Sequence, residues 1–414
     1  MRFRLSSTIV AALLAFIISR DALAQCSTLL PVRVFNIDRS TDIGWSLSFG
    51  LNPCEGLVLV QAQFSARGYE AHTVLNRASI AQIHVPYSPG DPRDRLEGVT
   101  TTGLGANAVT LSSDECPGGD LYETGKICVT VKDRGLAWKY GTNSLRGRSL
   151  SLFVSSQLGQ FNYINMWSFL DDGTIEVRTG LTGRLDVFAD GDQWLPWGNR
   201  VNDEADPTPH VALNHQQNIY YRLDFDIGTA ANNAVSNITL QPTLVPSPST
   251  NCDVVGQCFV IQETQLTNET VDYLDPLFFT SWRIFNKVIR NQFGRLRGYE
   301  LIPTIRGKGY GIYDTAEPWS SGELWVTRYN QCHLLATNNH PPLIRDTCAG
   351  TADNLTEMVA GAGNIDGVDI VVWYANRFSF QTRDEDQPNL PIQWTGFDIK
   401  PRSFHHIDPM FQPE

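Results

Sequence analysis

The sequence predicts an all-β fold, and three observations carry that prediction. Short runs of β-branched and aromatic residues recur along the chain, the clearest being Asn218 to Ile227, where Ile219, Tyr221, Leu223, Phe225 and Ile227 alternate with a period of two. Glycine (33) and proline (22) punctuate those runs at turn-like intervals. Charged residues make up only 18% of 414, against 42% hydrophobic, enough apolar material for a large core. No internal repeat, coiled coil or low-complexity tract interrupts the pattern, so residues 25–414 read as one large domain.

Taken in order, the chain opens with a signal-peptide pattern over residues 1–24. Arg2 and Arg4 precede an apolar run from Ile9 to Ile18, and Ala22-Leu23-Ala24 is a small-x-small cleavage site before Gln25. The apolar run is too short to span a bilayer, and no later segment is apolar enough. A retained signal anchor is the alternative. Cleavage sends the mature chain to the secretory lumen or outside the cell.

Eight cysteines follow, Cys26, Cys54, Cys116, Cys128, Cys252, Cys258, Cys332 and Cys348. An even count behind a signal peptide implies disulfides. Sequential pairing is preferred among the many connectivities that eight cysteines permit. The sequons at Asn237, Asn268 and Asn354 fit a secreted glycoprotein. A net charge of −12 excludes nucleic acid and anionic membrane surfaces as partners.

Strand-like runs follow at Val32 to Phe35, Ile43 to Phe49, Gly56 to Ala62 and Ser79 to Val85. The last ends in a dense turn signal, Pro86-Tyr87-Ser88-Pro89-Gly90-Asp91-Pro92, and Asp91 to Gly105 reads as a loop. Cys128 to Val131, Ser149 to Val154 and Ile175 to Leu181 read as strands, as does the aromatic stretch Gln160-Phe161-Asn162-Tyr163-Ile164-Asn165-Met166-Trp167-Ser168-Phe169. Asp190 to Pro209 is acidic and proline-bearing, which predicts a long surface excursion. Pro242 to Cys258 reads as a loop stapled by Cys252–Cys258, and Phe285 to Gln292 as a short helix. Leu324 to Tyr329 and Val368 to Tyr374 are strand-like, and the proline-punctuated tail from Gln387 ends as coil.

Several motifs in order resemble the catalytic domain of the copper- and quinone-dependent amine oxidases. Val85-Pro86-Tyr87 with Gly90-Asp91-Pro92, Gly103-Leu104-Gly105, Leu136-Ala137-Trp138-Lys139, Asp172-Gly173-Thr174-Ile175-Glu176 and Arg222-Leu223-Asp224 are among them. So are Trp325-Val326-Thr327, Asp369-Ile370-Val371 and Gly396-Phe397 with Pro401. The likeness runs from about Trp45 to Pro409. It implies a large, twisted antiparallel β-sandwich, a Cys116–Cys128 disulfide and, in the family, a homodimer, which the sequence leaves open here.

The same resemblance assigns the chemistry. With Trp167 and Phe169 setting the register, the quinone-precursor tyrosine falls at Phe161, which has no phenol, and Tyr163 aligns with the motif's second tyrosine. The family's His-x-His becomes His215-Gln216-Gln217, and its third copper histidine becomes Phe380. The catalytic aspartate becomes Gly98, with Glu97 and Asp94 nearby as substitutes or as a solvated acidic loop. His210 is a substitute copper ligand or a surface histidine. His405 and His406, being adjacent, point apart. Topaquinone and copper are therefore not expected. The resemblance places the family's peripheral calcium site at Asp224, Asp226 and Asp369 with the carbonyls of Phe225 and Ile370, either as hard oxygen ligands that suit Ca²⁺ or as exposed strand carboxylates.

Two functions compete. In the preferred one, Phe161, Tyr163, Trp167, Tyr87, Glu97, His215, Gln217 and Phe380 line a pocket that binds a small organic molecule and performs a redox-independent cyclisation, isomerisation or elimination in secondary metabolism. In the alternative, the same residues fill the core of a non-catalytic secreted binding or scaffold glycoprotein. A residual primary-amine oxidase is a distant third.

Overall fold

The computed structural model describes residues 33–38, 43–66, 70–87, 96–97, 103–185, 188–203, 206–244, 247–248, 251–304, 318–337 and 351–411. The signal-peptide pattern, Asp94, Gly98, Cys26 and Cys348 lie outside these residues.

Two large antiparallel sheets face each other. The first has the order β1 (Arg33–Asp38), β2 (Ile43–Asn52), β3 (Gly56–Ser65), β4 (His72–Val85), β14 (His215–Phe225), β21 (Ile370–Phe380), β20 (Leu324–Arg328) and β17 (Thr270–Asp272), with β5 (Leu96–Glu97) paired to β4. The second runs β16 (Cys258–Leu266), β15 (Asn233–Thr243), β18 (Ser281–Arg290), β19 (Leu296–Pro303), β22 (Leu390–Arg402), β10 (Ile175–Gly183), β9 (Phe161–Leu170), β8 (Asn143–Leu158), β7 (Ile127–Tyr140) and β6 (Asp120–Tyr122). A small third sheet joins β11 (Phe188–Asp190), β13 (Asp206–Leu213) and β12 (Gly198–Asp203). This is the all-β sandwich that the sequence predicts.

Between the sheets lies one continuous apolar cluster, from Trp45 and Phe64 through Phe161, Trp167 and Tyr221 to Phe397. Trp45 ties the layers together: its ring lies 4.9 Å from Phe64 and 5.0 Å from Phe169, and its Nε1 donates to the Leu170 carbonyl across the core at 2.9 Å. A buried indole is held this way because its one polar atom has a partner. β14 is buried along its whole length, on both faces. Its outer face is covered by a second cluster containing Trp319, Trp325, Trp373 and the short helix α1 (Leu355–Val359).

Three sequence expectations need correction. Phe285 to Gln292 is not a helix; most of it belongs to strand β18. The strand bulges between Phe285 and Arg290 because buried Asn286 accepts from the Val288 and Ile289 amides and donates to the Ile227 and Ala231 carbonyls. That bulge breaks the period of two that would have identified a strand. The tail is coil only at its end, after Arg402; before it, β22 pairs with both β10 and β19. Its prolines are tolerated because Pro391 falls in a register break and Pro401 sits one residue from the end. Asp190 to Pro209 is not an irregular excursion but the 3-10 turn Asp192–Trp197 and most of the small sheet.

Cys116–Cys128 and Cys252–Cys258 are disulfides, and Cys332 is also disulfide-bonded. Among the described residues, no helix is long and apolar enough to cross a membrane.

Candidate functional site

β9 alternates strictly at its start, so Phe161, Tyr163, Asn165 and Trp167 face the core while Asn162, Ile164 and Met166 face outward. Opposite them, β14 and β21 are registered so that His215 pairs with Phe380 and Gln217 with Phe378. Tyr87 follows β4 and bridges to His215. Residues far apart in sequence thus meet at one end of the sandwich.

There the rings close on one another. The His215 imidazole stacks on Phe380 at 4.7 Å and 20°. Tyr87 lies 5.0 Å from the same imidazole and Phe161 5.5 Å, both tilted. The Phe161 and Phe380 side chains are each 1% exposed, so neither lines open solvent. His215 Nδ1 lies 3.4 Å from the Leu213 carbonyl, which places the proton on Nδ1. Burial pushes the imidazole pKa down to about 4, so His215 is neutral at ordinary pH. Its Nε2 has no hydrogen-bond partner among the described residues, and its neighbours there are aromatic rings.

One layer deeper, Tyr163 Oη donates to Gln217 Oε1 at 3.0 Å, a bond that spans the two sheets. Both residues are at most 1% exposed. Tyr163→Phe strands a buried amide oxygen, and an unfolding titration is expected to register a loss of about 1–3 kcal/mol. A loss near zero would mean that water reaches Gln217. Trp167 lies further along, edge-on to Tyr221 at 5.8 Å. Of the sequence-derived set, Phe161, Tyr87, His215 and Phe380 form one cluster, and Tyr163 and Gln217 adjoin it through the Phe161–Tyr163 ring contact and the Tyr163–Gln217 hydrogen bond. Trp167 belongs to the general core. The Glu97 backbone pairs with His84 on the edge strand β5, and its side chain lies outside the described set.

Among the described residues, the remaining histidines do not complete a metal site. His210 is on β13, with Nδ1 2.8 Å from an Asp190 oxygen. His405 is not a loose tail residue. It packs against Phe64 and Phe404, burial holds its pKa near 4, and His406 turns the other way onto Phe293. A copper–quinone centre needs a phenol and three imidazoles. The assigned positions hold a benzyl ring, one imidazole, an amide and a second benzyl ring. The residues present do not fit that group.

Asp224, Asp226 and Asp369 form a separate cluster, with one carboxylate oxygen from each within 4.8 Å of the others. Each also has an Oδ1 with no hydrogen-bond partner among the described residues. Phe225 and Ile370, directly beside them, are register partners on β14 and β21. Burial first, then repulsion between the carboxylates, pushes Asp226 up to about 7 and Asp369 to about 6. Sequence reasoning missed Arg222, fully buried with Nη1 3.5 Å from Asp224 Oδ2 and Nε donating to the His333 carbonyl. The signal was available: it precedes Asp224 by two and so shares its face.

The sequons differ in how their asparagines are used. Asn268 is exposed, with its Nδ2 donating to the Ala362 carbonyl at 2.8 Å, and Asn237 is half-buried, with its Nδ2 donating to Asp272 at 2.6 Å. Asn354 caps α1 by accepting from the Glu357 amide.

The family model "Copper amine oxidase, enzyme domain" matches residues 42–413. The chain is 28% identical over 403 residues to histamine oxidase of Arthrobacter globiformis, covering 88% of this chain and 56% of that protein. It is 27% identical to the primary amine oxidase of Arthrobacter sp. (strain P1), covering 88% and 58%. Among solved structures, a copper-containing benzylamine oxidase from Hansenula polymorpha superposes with a TM-score of 0.74 at 20% identity, covering 92% of this chain and 64% of that one. Pichia pastoris lysyl oxidase gives 0.72 at 17%, covering 89% and 52%. The chain spans somewhat more than half the length of the two sequence relatives. It belongs to the copper amine oxidase family, whose enzyme domain occupies residues 42–413.

Proposed function

We propose that this chain is a secreted glycoprotein that keeps the copper amine oxidase enzyme-domain fold without its redox chemistry, and acts as a binding or scaffold protein. The observation that carries this reading is the ring stack: the one remaining imidazole is sandwiched against Phe380 and faced by Phe161 and Tyr87. Metal coordination at His215 Nε2 needs two further donors, and Gln217 already spends its amide oxygen on Tyr163. The same closure supports a filled core over a pocket for a small organic substrate. A pocket would leave these rings exposed to it, whereas they are buried against one another.

On this reading Asn268 carries an N-glycan more readily than Asn237, because both side-chain amides donate within the fold but Asn268 is exposed and Asn237 only half-exposed. The carboxylate trio holds calcium, because three hard oxygen ligands from neighbouring strand ends suit that ion.

The test uses purified protein incubated with copper(II) in air. We expect a negative redox-cycling stain for quinone, less than stoichiometric copper after dialysis, and no hydrogen peroxide from histamine, methylamine or benzylamine. A positive stain or amine-dependent peroxide would overturn the reading.

A further inference from the structure

The strand that carries Phe161 inward presents a different surface outward. Asn162, Ile164 and Met166 lie in the floor of a trough of about 580 Å³ on the outer face of the second sheet. Its construction follows from register. Trp394 on β22 pairs with Gly180 on β10, Gly180 with Ile164 on β9, and Ile164 with Ser155 on β8. On one side of this row lies Thr182–Asn162–Gln157, and on the other Met166–Phe153.

Gly180 makes the trough. A Cβ there would come within 3.2 Å of the Trp394 benzo ring and 3.0 Å of Ile392. Without it the indole lies across β10, covering the glycine backbone while remaining 47% exposed. Ile392, also 47% exposed, extends that wall. The opposite wall comes from the segment before β6: the Val109 amide donates to the Ser155 carbonyl, which sets Val109 and Leu111 along the far side. The span from β22 to β8 is three strand spacings, about 14 Å.

The lining chemistry selects the occupant. Exposed aromatic and aliphatic surface lies beside neutral hydrogen-bonding groups: Thr182, Asn162 and Gln157 form one cross-strand row, and Ser155 ends the row of Trp394. Two charges reach the trough. Glu115 is held by the Ser112 amide and hydroxyl, and Lys132 comes from β7. A purely apolar guest would bury the amides without partners, at a cost in affinity. A neutral sugar chain offers C–H faces to the indole and hydroxyl edges to the amides, and its length matches an elongated trough. We propose that this trough binds a neutral oligosaccharide, with Trp394 as the stacking platform and Asn162 and Gln157 as the hydrogen-bonding floor.

The inference is independent of the state of the buried ring stack. It is tested with full-length protein in native gels cast with hydroxyethylcellulose, galactomannan, starch or glycol chitin, followed by calorimetry with the trimer of any polysaccharide that retards it. At least one should retard the protein. Trp394→Ala should weaken the retained interaction about ten-fold or more, as loss of an aromatic anchor does. Asn162→Ala, a substitution at a half-exposed position, should weaken it while leaving the melting temperature unchanged, which separates binding from folding. Gly180→Val, which displaces the indole, should mimic Trp394→Ala. The proposal is overturned if no polysaccharide retards the wild type, if Trp394→Ala is retarded equally, or if only a ring compound without hydroxyls binds in a Trp394-dependent way.

Discussion

Phe161→Ala is expected to destabilise the protein by about 3–5 kcal/mol, and Phe380→Ala by a similar amount. Both rings are 1% exposed and both contact the His215 imidazole, Phe380 stacked at 4.7 Å and Phe161 tilted at 5.5 Å. Truncating either removes its transfer free energy and leaves a hole that strands pinned by ladder hydrogen bonds cannot close, and β14 is paired on both sides, with β4 and β21. The value discriminates between functions. A ring at the wall of a ligand cavity is only partly packed, so its loss would cost much less, about 1 kcal/mol, and would open the site further. The measurement is urea unfolding of wild type and both variants, with the slope of the transition compared to check that only stability changed. Losses near 1 kcal/mol at both positions would return the small-molecule reading to first place. A large loss relieved by benzene would show a sealed cavity of the ring's own shape.

The ring stack was legible in the sequence only through the family's motifs. Phe161, His215 and Phe380 are separated by 54 and 165 positions, and nothing in composition or periodicity connects them. Periodicity did identify β14, where Ile219, Tyr221, Leu223 and Phe225 alternate in the sequence, and β9 was legible as an aromatic-rich strand. It failed where a buried polar side chain reorganised the backbone, as Asn286 does in β18, and where prolines sat at register breaks, as in β22. The outer trough was invisible for another reason. Asn162, Ile164 and Met166 look like ordinary outward positions of a strand, and the property that joins them to Trp394 belongs to Gly180 on the strand between. Cross-strand relations of that kind exist only once the register is set.

Calcium is expected to raise the melting temperature of protein first stripped with chelator and dialysed, and to raise it more at pH 8 than at pH 5. Near pH 8 Asp226 and Asp369 are both ionised, and the facing oxygens of the trio repel. Carboxyls whose folded-state pKa, about 7 for Asp226 and about 6 for Asp369, lies above the unfolded value hold protons more tightly in the folded chain. The metal-free protein therefore loses stability as pH rises from roughly 4 toward 7, since the folded state must give up protons that the unfolded state has already lost. A divalent cation replaces those protons and removes the repulsion, so its effect grows as they leave. With calcium at 100 times its dissociation constant, mass action contributes about 2.7 kcal/mol. At pH 5 protons occupy the Asp226 and Asp369 sites and the shift shrinks. Arg222, buried beneath Asp224 with Nη1 3.5 Å from its Oδ2, offsets only part of the negative charge, acting on Asp224 and Asp369. Asp226→Asn should abolish the calcium shift and flatten the pH dependence of the metal-free protein, because it removes a ligand and the most strongly perturbed carboxyl together. An equal shift at both pH values, or none at pH 8, would leave the trio as an uncoordinated acidic cluster.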